Sequence, residues 1–204
     1  MSPRPKKATD DQVFEGAVRV MVRRGPTELT LADIATEVGL TAGALVQRFG
    51  SKRGLLLALM ERFAGSSGAM FASLRATDPS PLAAIYAYAH CMARMGETPD
   101  ALAHHLGWLQ QDLTDPDFRR LTVMQALATR RELQRLVAEA VKAGELQQTI
   151  APARVARAIE VTVGGSLMAW AVHQKGTAKS WVHHDLDAVL RPLMRKSRRP
   201  RAKR

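Results

Sequence analysis

At 204 residues with 46% hydrophobic content, the chain is long enough for one large domain or two modest ones and apolar enough to bury a core, which excludes a disordered polymer. Its net charge of +11 favours polyanionic partners, although seven of the cations sit in the last ten residues, from Arg195 onward, with no acid among them. Cys91 is the single cysteine, so an internal disulfide and a cysteine-based zinc site are excluded and the cytoplasm is the expected compartment.

In chain order, residues 1–8 read as a basic arm bearing Arg4, Lys6 and Lys7, with no apolar run behind them to make a secretory signal. Thr9 and Gln12 have the spacing of a capping box, and Phe14, Ala17, Val18 and Met21 then form one apolar stripe on a first helix that ends at Gly25-Pro26. Thr30, with Asp33 three residues on, opens a short second helix whose Leu31, Ile34, Ala35 and Val38 face inward; Gly39 stops it. Thr41 begins a third helix through Phe49, and Ser51 caps a fourth expected to run to about Ser73. Ser80-Pro81, Thr98-Pro99 and Asp115-Pro116 each pair a cap with a first-turn proline, and the helix from Pro116 is long, ending near Gly144. Another helix starts at Ala151-Pro152 and runs to about His173, and Trp181 to Met194 is the expected last one. The longest late stretch without charge or histidine, 161–172, falls short of the roughly twenty apolar residues a spanning helix needs, so no membrane partner is expected. No segment alternates with period two between turn signals, so the fold class is all-α.

The stretch Thr30 to Lys52, TLADIATEVGLTAGALVQRFGSK, carries the function. A capped two-turn helix, a Gly-Leu turn and a second short helix make a helix-turn-helix, whose second helix enters the major groove of DNA. Ile34, Ala35, Val38, Leu40, Leu45 and Phe49 supply an inward face, leaving the other side of 41–48 to solvent. Residues 9–63 resemble the TetR family of bacterial transcriptional repressors: a first helix ending in Gly25, the run Leu29 to Leu45, and Arg-Phe-Gly-Ser-Lys-Arg-Gly-Leu-Leu at 48–56. The resemblance implies a DNA-binding domain over 9–50, a connecting helix over 51–73 and a ligand-binding and dimerisation domain over 74–194; the charge run marks 195–204 as a basic tail. It implies phosphate contacts at Thr30 and Lys52, and it places Thr41, Ala42, Gly43 and Ala44 near base edges. Gln47 and Arg48 are the strong hydrogen-bonding side chains of that helix, suited to adenine, guanine or phosphate. Val46 stands where the family usually has tyrosine and Ala42 where a longer polar residue is common, so readout leans on thymine methyls and DNA shape.

The same resemblance implies a homodimer on a near-palindromic double-stranded operator, with Gly164, Gly165, Ala169, Trp181, Leu186 and Leu190 at the interface. It also implies a pocket for a small apolar or amphipathic effector, for which Tyr88, Met92, Met95, Trp108, Met124 and Trp170 are the candidates. Adjacent His104-His105 and His183-His184 point about 100° apart on a helix, and no acid or thiol spacing supports a metal. No cofactor motif or nucleophile elbow is present, so no enzyme is expected. The expected function is a sequence-specific transcriptional regulator, a repressor released by its effector; the rival readings are a protein coating DNA without sequence preference and an enzyme using the helical pocket. The arm and tail either attract DNA nonspecifically or are solvated ends.

Overall fold

The computed structural model describes residues 8–94 and 96–195. Nine α-helices and one 3-10 turn make up its regular structure, and the single β feature among the described residues is an isolated bridge between Leu146 and Met194. The arm residues Arg4, Lys6 and Lys7, the candidate Met95 and the tail beyond Arg195 lie outside the described residues.

The first three helices are cut by the caps the sequence offers. Helix α1, Asp10–Glu28, opens with the Thr9–Gln12 capping box, both reciprocal bonds being made, and breaks at Gly25, whose backbone stands at φ 67° and ψ −179°. α2, Leu31–Val38, carries the Thr30–Asp33 box and closes on Gly39 at φ 69°, a left-handed conformation that glycine adopts without Cβ strain. α3, Ala42–Phe49, is capped by Thr41, whose Oγ1 accepts from Ala44 N. α4, Lys52–Thr77, continues a turn beyond the expected Ser73, since no glycine or proline intervenes before Pro79. α5 (Pro81–Arg94), α6 (Pro99–Thr114), α7 (Pro116–Lys142) and α8 (Pro152–His173) all begin at the predicted prolines. The last helix differs. α9, Ala178–Leu190, starts three residues before Trp181 because Thr177 and Ser180 form a further capping box. It passes into a 3-10 turn at Arg191–Leu193, where Pro192 has no N–H to continue the α-helical pattern.

Two compact units result, and they do not follow the linear division expected from the sequence. Gly96–Ala126 joins the residues up to Ser67, while Gly68–Met95 joins the chain from Leu127 onward. The reason is packing: Trp108 of α6 and Phe118 of α7 are buried in one core with Val13, Ala17, Ile34 and Leu45. In the second unit α8 packs on α9 and α9 on α5, Phe71, Leu133, Ile159, Val182 and Leu186 are each buried, and Arg75 bridges Glu132 and Glu139. α8 has the length and composition of a membrane span, with mean hydropathy 1.3 over its most apolar 18 residues, although only a third of that window is buried within the chain.

Candidate nucleic-acid interface

Two inward anchors fix the orientation of α3. Leu45 is fully buried, and Phe49 packs on Phe14 of α1 with ring centroids 5.8 Å apart. Thr41, Gly43, Val46, Gln47 and Arg48 are therefore exposed, and Ala42 and Ala44 half-buried. A Cβ built on Gly43 would find only Thr41 Oγ1, at 4.0 Å. Among the described residues the outer face of α3 is thus unobstructed. Behind it, Gly54 lets the chain turn tightly from α3 into α4: a Cβ there would stand 2.1 Å from the Phe49 carbonyl oxygen. Gly16 serves likewise between α1 and α2, where a Cβ would meet Val38 Cγ1 at 2.2 Å.

The cations around this face differ in how far they are already satisfied. Arg19 and Arg23 both bind Glu37, and Arg24 faces Asp33 at 3.4 Å. Hydrogen bonds from Arg19 and then Arg23 hold the Glu37 carboxyl below the ordinary glutamate range. Arg48, expected to address bases or phosphate, pairs with Asp10 and donates to the Ala8 carbonyl at 2.7 Å. Thr30 is also committed, its hydroxyl donating to Asp33 Oδ2 at 2.6 Å. The anion-attracting groups left at that helix start are the N–H groups of Leu31 and Ala32, which have no acceptor within the helix. Lys52 is placed differently. Its Nζ donates to the carbonyls of Leu29 at 2.6 Å and Pro26 at 3.2 Å, both neutral. An ammonium has three donors, so one remains, together with the whole charge, beside the reading helix.

Known proteins share this arrangement. Residues 13–59 match the model of bacterial regulatory proteins of the tetR family. Over that segment the chain is similar to the tetR family of bacterial regulatory proteins. The HTH-type transcriptional regulator TtgR of Pseudomonas putida is 27% identical over 208 aligned positions, which cover 92% of this chain and 95% of TtgR. Among solved structures, a transcriptional regulator from Saccharomonospora viridis bound to choline superposes with a TM-score of 0.75 at 16% identity, covering 92% of this chain and 98% of that one. SmeT, the repressor of the Stenotrophomonas maltophilia multidrug efflux pump SmeDEF, gives 0.65 at 19% identity, covering 94% and 93%.

The residues expected to form an effector pocket do not gather in one unit. Trp108 belongs to the core of the first, where its Nε1 lies 3.5 Å from the Met21 carbonyl, and Met124 is 51% exposed. Tyr88, Met92 and Trp170 belong to the second unit. There Tyr88 stacks on Phe71, and Trp170 donates to the Gly176 carbonyl. Burial, with Glu160 nearby, pushes the Tyr88 phenol up to about 12, so it stays a neutral donor. An open depression of about 500 Å3 in that unit is lined instead by His184, Asp187, Ala188, Arg191 and Pro192. Of the expected interface residues, Gly164 and Gly165 are exposed, with nothing within 4 Å of a built Cβ. Ala169 is half-buried, and half-buried Trp181 donates to the Lys175 carbonyl at 2.7 Å. Leu186 and Leu190 are fully buried within the chain itself, so their side chains present no surface to a partner. The exposed apolar residues of α8 are Val161, Met168 and Val172, which the charge-free run at 161–172 signalled without saying which side would be free.

Proposed function

We propose that this chain is a TetR-family repressor that binds a near-palindromic operator as a homodimer and leaves it when a small apolar or amphipathic effector binds the helical domain. The observation that carries the reading is the free outer face of α3, bordered by a lysine whose partners are neutral carbonyls. In this reading Thr41, Ala42, Gly43, Ala44, Val46 and Gln47 approach base edges. Lys52 and the start of α2 at Thr30 hold the backbone. Arg48 steadies α3 against α1 through Asp10, and contacts DNA only where that pair opens.

A single two-turn reading helix specifies few bases, and two of them about 34 to 36 Å apart on a two-fold axis read both halves of an operator. The apolar outer side of α8, with Val161, Gly164, Gly165, Met168 and Val172 on one helical face, supports a second copy as the partner that sets this spacing. SmeT represses an efflux pump and the Saccharomonospora viridis regulator binds choline; repression and small-molecule binding are carried over from such neighbours, and the effector's chemistry from the Tyr88, Met92 and Trp170 surroundings.

Selection of bound duplexes from a random-sequence library tests the proposal. A repressor of this kind enriches one short near-palindrome at moderate salt. Length-dependent binding without an enriched sequence would instead establish the coating reading.

A further inference from the structure

Helix α1 carries a defect that α6 repairs. Pro26 has no N–H, so the Val22 carbonyl four residues earlier loses its helical donor, and Gly25 leaves the helical path at φ 67°. His104 of α6 fills the gap: its Nδ1 lies 2.8 Å from the Val22 oxygen. A carbonyl only accepts, so His104 donates, from Nδ1–H. Three features make the fit specific. A Cβ on Gly25 would stand 2.8 Å from His104 Cδ2, and one on Gly107 would stand 3.0 Å from Pro26 Cγ. Trp108, one turn along α6 from His104, closes the same side over the Met21 carbonyl.

Beyond the break, the same short segment supplies both acceptors of Lys52, the carbonyls of Pro26 and Leu29. The next residue, Arg53, binds Asp115, the C-cap of α6, at 2.9 Å and Asp117 in the first turn of α7 at 2.7 Å, with its guanidinium 5.7 Å from the Phe118 ring centroid. α6 therefore touches the Lys52-Arg53 pair twice: through the α1 break from its first half, and directly from its C-terminal corner.

We propose that His104 is a positioning residue for DNA binding: by holding the Val22 carbonyl it keeps the Gly25-Pro26 break in the shape that offers the Pro26 and Leu29 carbonyls to Lys52, and so fixes the ammonium that neutralises a DNA phosphate. An effector that shifts α6 then acts on the phosphate anchor without touching the reading helix. This deepens the DNA-binding reading and rests on it.

The test measures how affinity for a library-selected duplex depends on salt, for His104→Ala, His104→Asn, His104→Gln and Lys52→Ala. Asparagine keeps a donor where Nδ1 stood, whereas glutamine carries its donor where Nε2 stood. His104→Ala is expected to make the slope of log K against log salt shallower by up to about 0.9, the worth of one phosphate, and to add nothing in a Lys52→Ala background. His104→Asn is expected to restore the slope and His104→Gln to leave it shallow, and this pair decides the matter should the alanine variant not fold. Slopes that match wild type in the alanine and glutamine variants, or a His104→Ala effect fully additive with Lys52→Ala, would overturn the proposal. If wild type enriches no duplex, the DNA-binding reading fails by itself. Amide hydrogen exchange then still tests the α6 contact: His104→Ala and His104→Gln should speed exchange across 23–30 and His104→Asn should not, and unchanged exchange there counts against the contact's role.

Discussion

A cation contributes to DNA binding in proportion to the charge it has left. Arg19, Arg23, Arg24 and Arg48 each face a carboxylate, and a phosphate must compete for them; among the described residues Lys52 faces only carbonyl oxygens. Lys52→Ala is therefore expected to weaken binding to the selected operator and to mixed-sequence duplex alike, with a salt slope shallower by about 0.9, read from fluorescence anisotropy across a salt series. Equal slopes would remove the phosphate assignment. Gln47 has no committed partner among the described residues, so Gln47→Ala should redistribute preference among single-base operator variants by about 1–3 kcal/mol at the position it reads. These residue types and spacings were legible in the sequence. That Arg48 is spent on Asp10 was not, because the two are brought together only when the end of α3 meets the start of α1.

Helices α1 and α2 are clasped by one acid: Glu37 receives Arg19 Nε at 2.7 Å and also Arg23. Because these bonds depress the folded-state pKa of Glu37, their contribution is fully present above the unfolded value of about 4.5 and is lost as pH falls through the lower, folded value. The melting temperature of wild type should thus exceed that of Glu37→Gln near neutrality, and the gap should close on acidification below about pH 4.5. A gap independent of pH in thermal melts would contradict the clasp. Element boundaries were readable wherever the signal was local: Thr9, Thr30, Thr41 and the first-turn prolines cut the chain where they stand. The start of α9 was missed because Thr177 and Ser180 make an unusual box with serine as its second member. The membership of α6 in the DNA-binding unit was beyond reach, since it depends on Trp108 packing against α1, where the Met21 carbonyl it faces lies 87 residues earlier.

For the molecule as a whole, the question is what covers α8. Val161, Met168 and Val172 are 64%, 49% and 81% exposed, and with Gly164 and Gly165 they fall at helical spacings of three, four, seven and eleven residues, one continuous face. Water against that face is costly, and the two glycines carry no side chain to keep another helix at a distance. About a two-fold axis each residue near the centre meets a region close to its own copy, so Met168→Glu sets two carboxylates in one apolar contact. Its exposed position leaves the fold of the single chain intact, which circular dichroism checks. The variant should sediment as a monomer where wild type sediments as a dimer. Its affinity for the full operator should fall by about 10²- to 10⁴-fold, because each reading helix then binds its half-site without the effective concentration supplied by the other. Affinity for an isolated half-site should not change. A Met168→Glu protein that still sediments as a dimer and still grips the full operator would show that the two reading helices are held together through some other face.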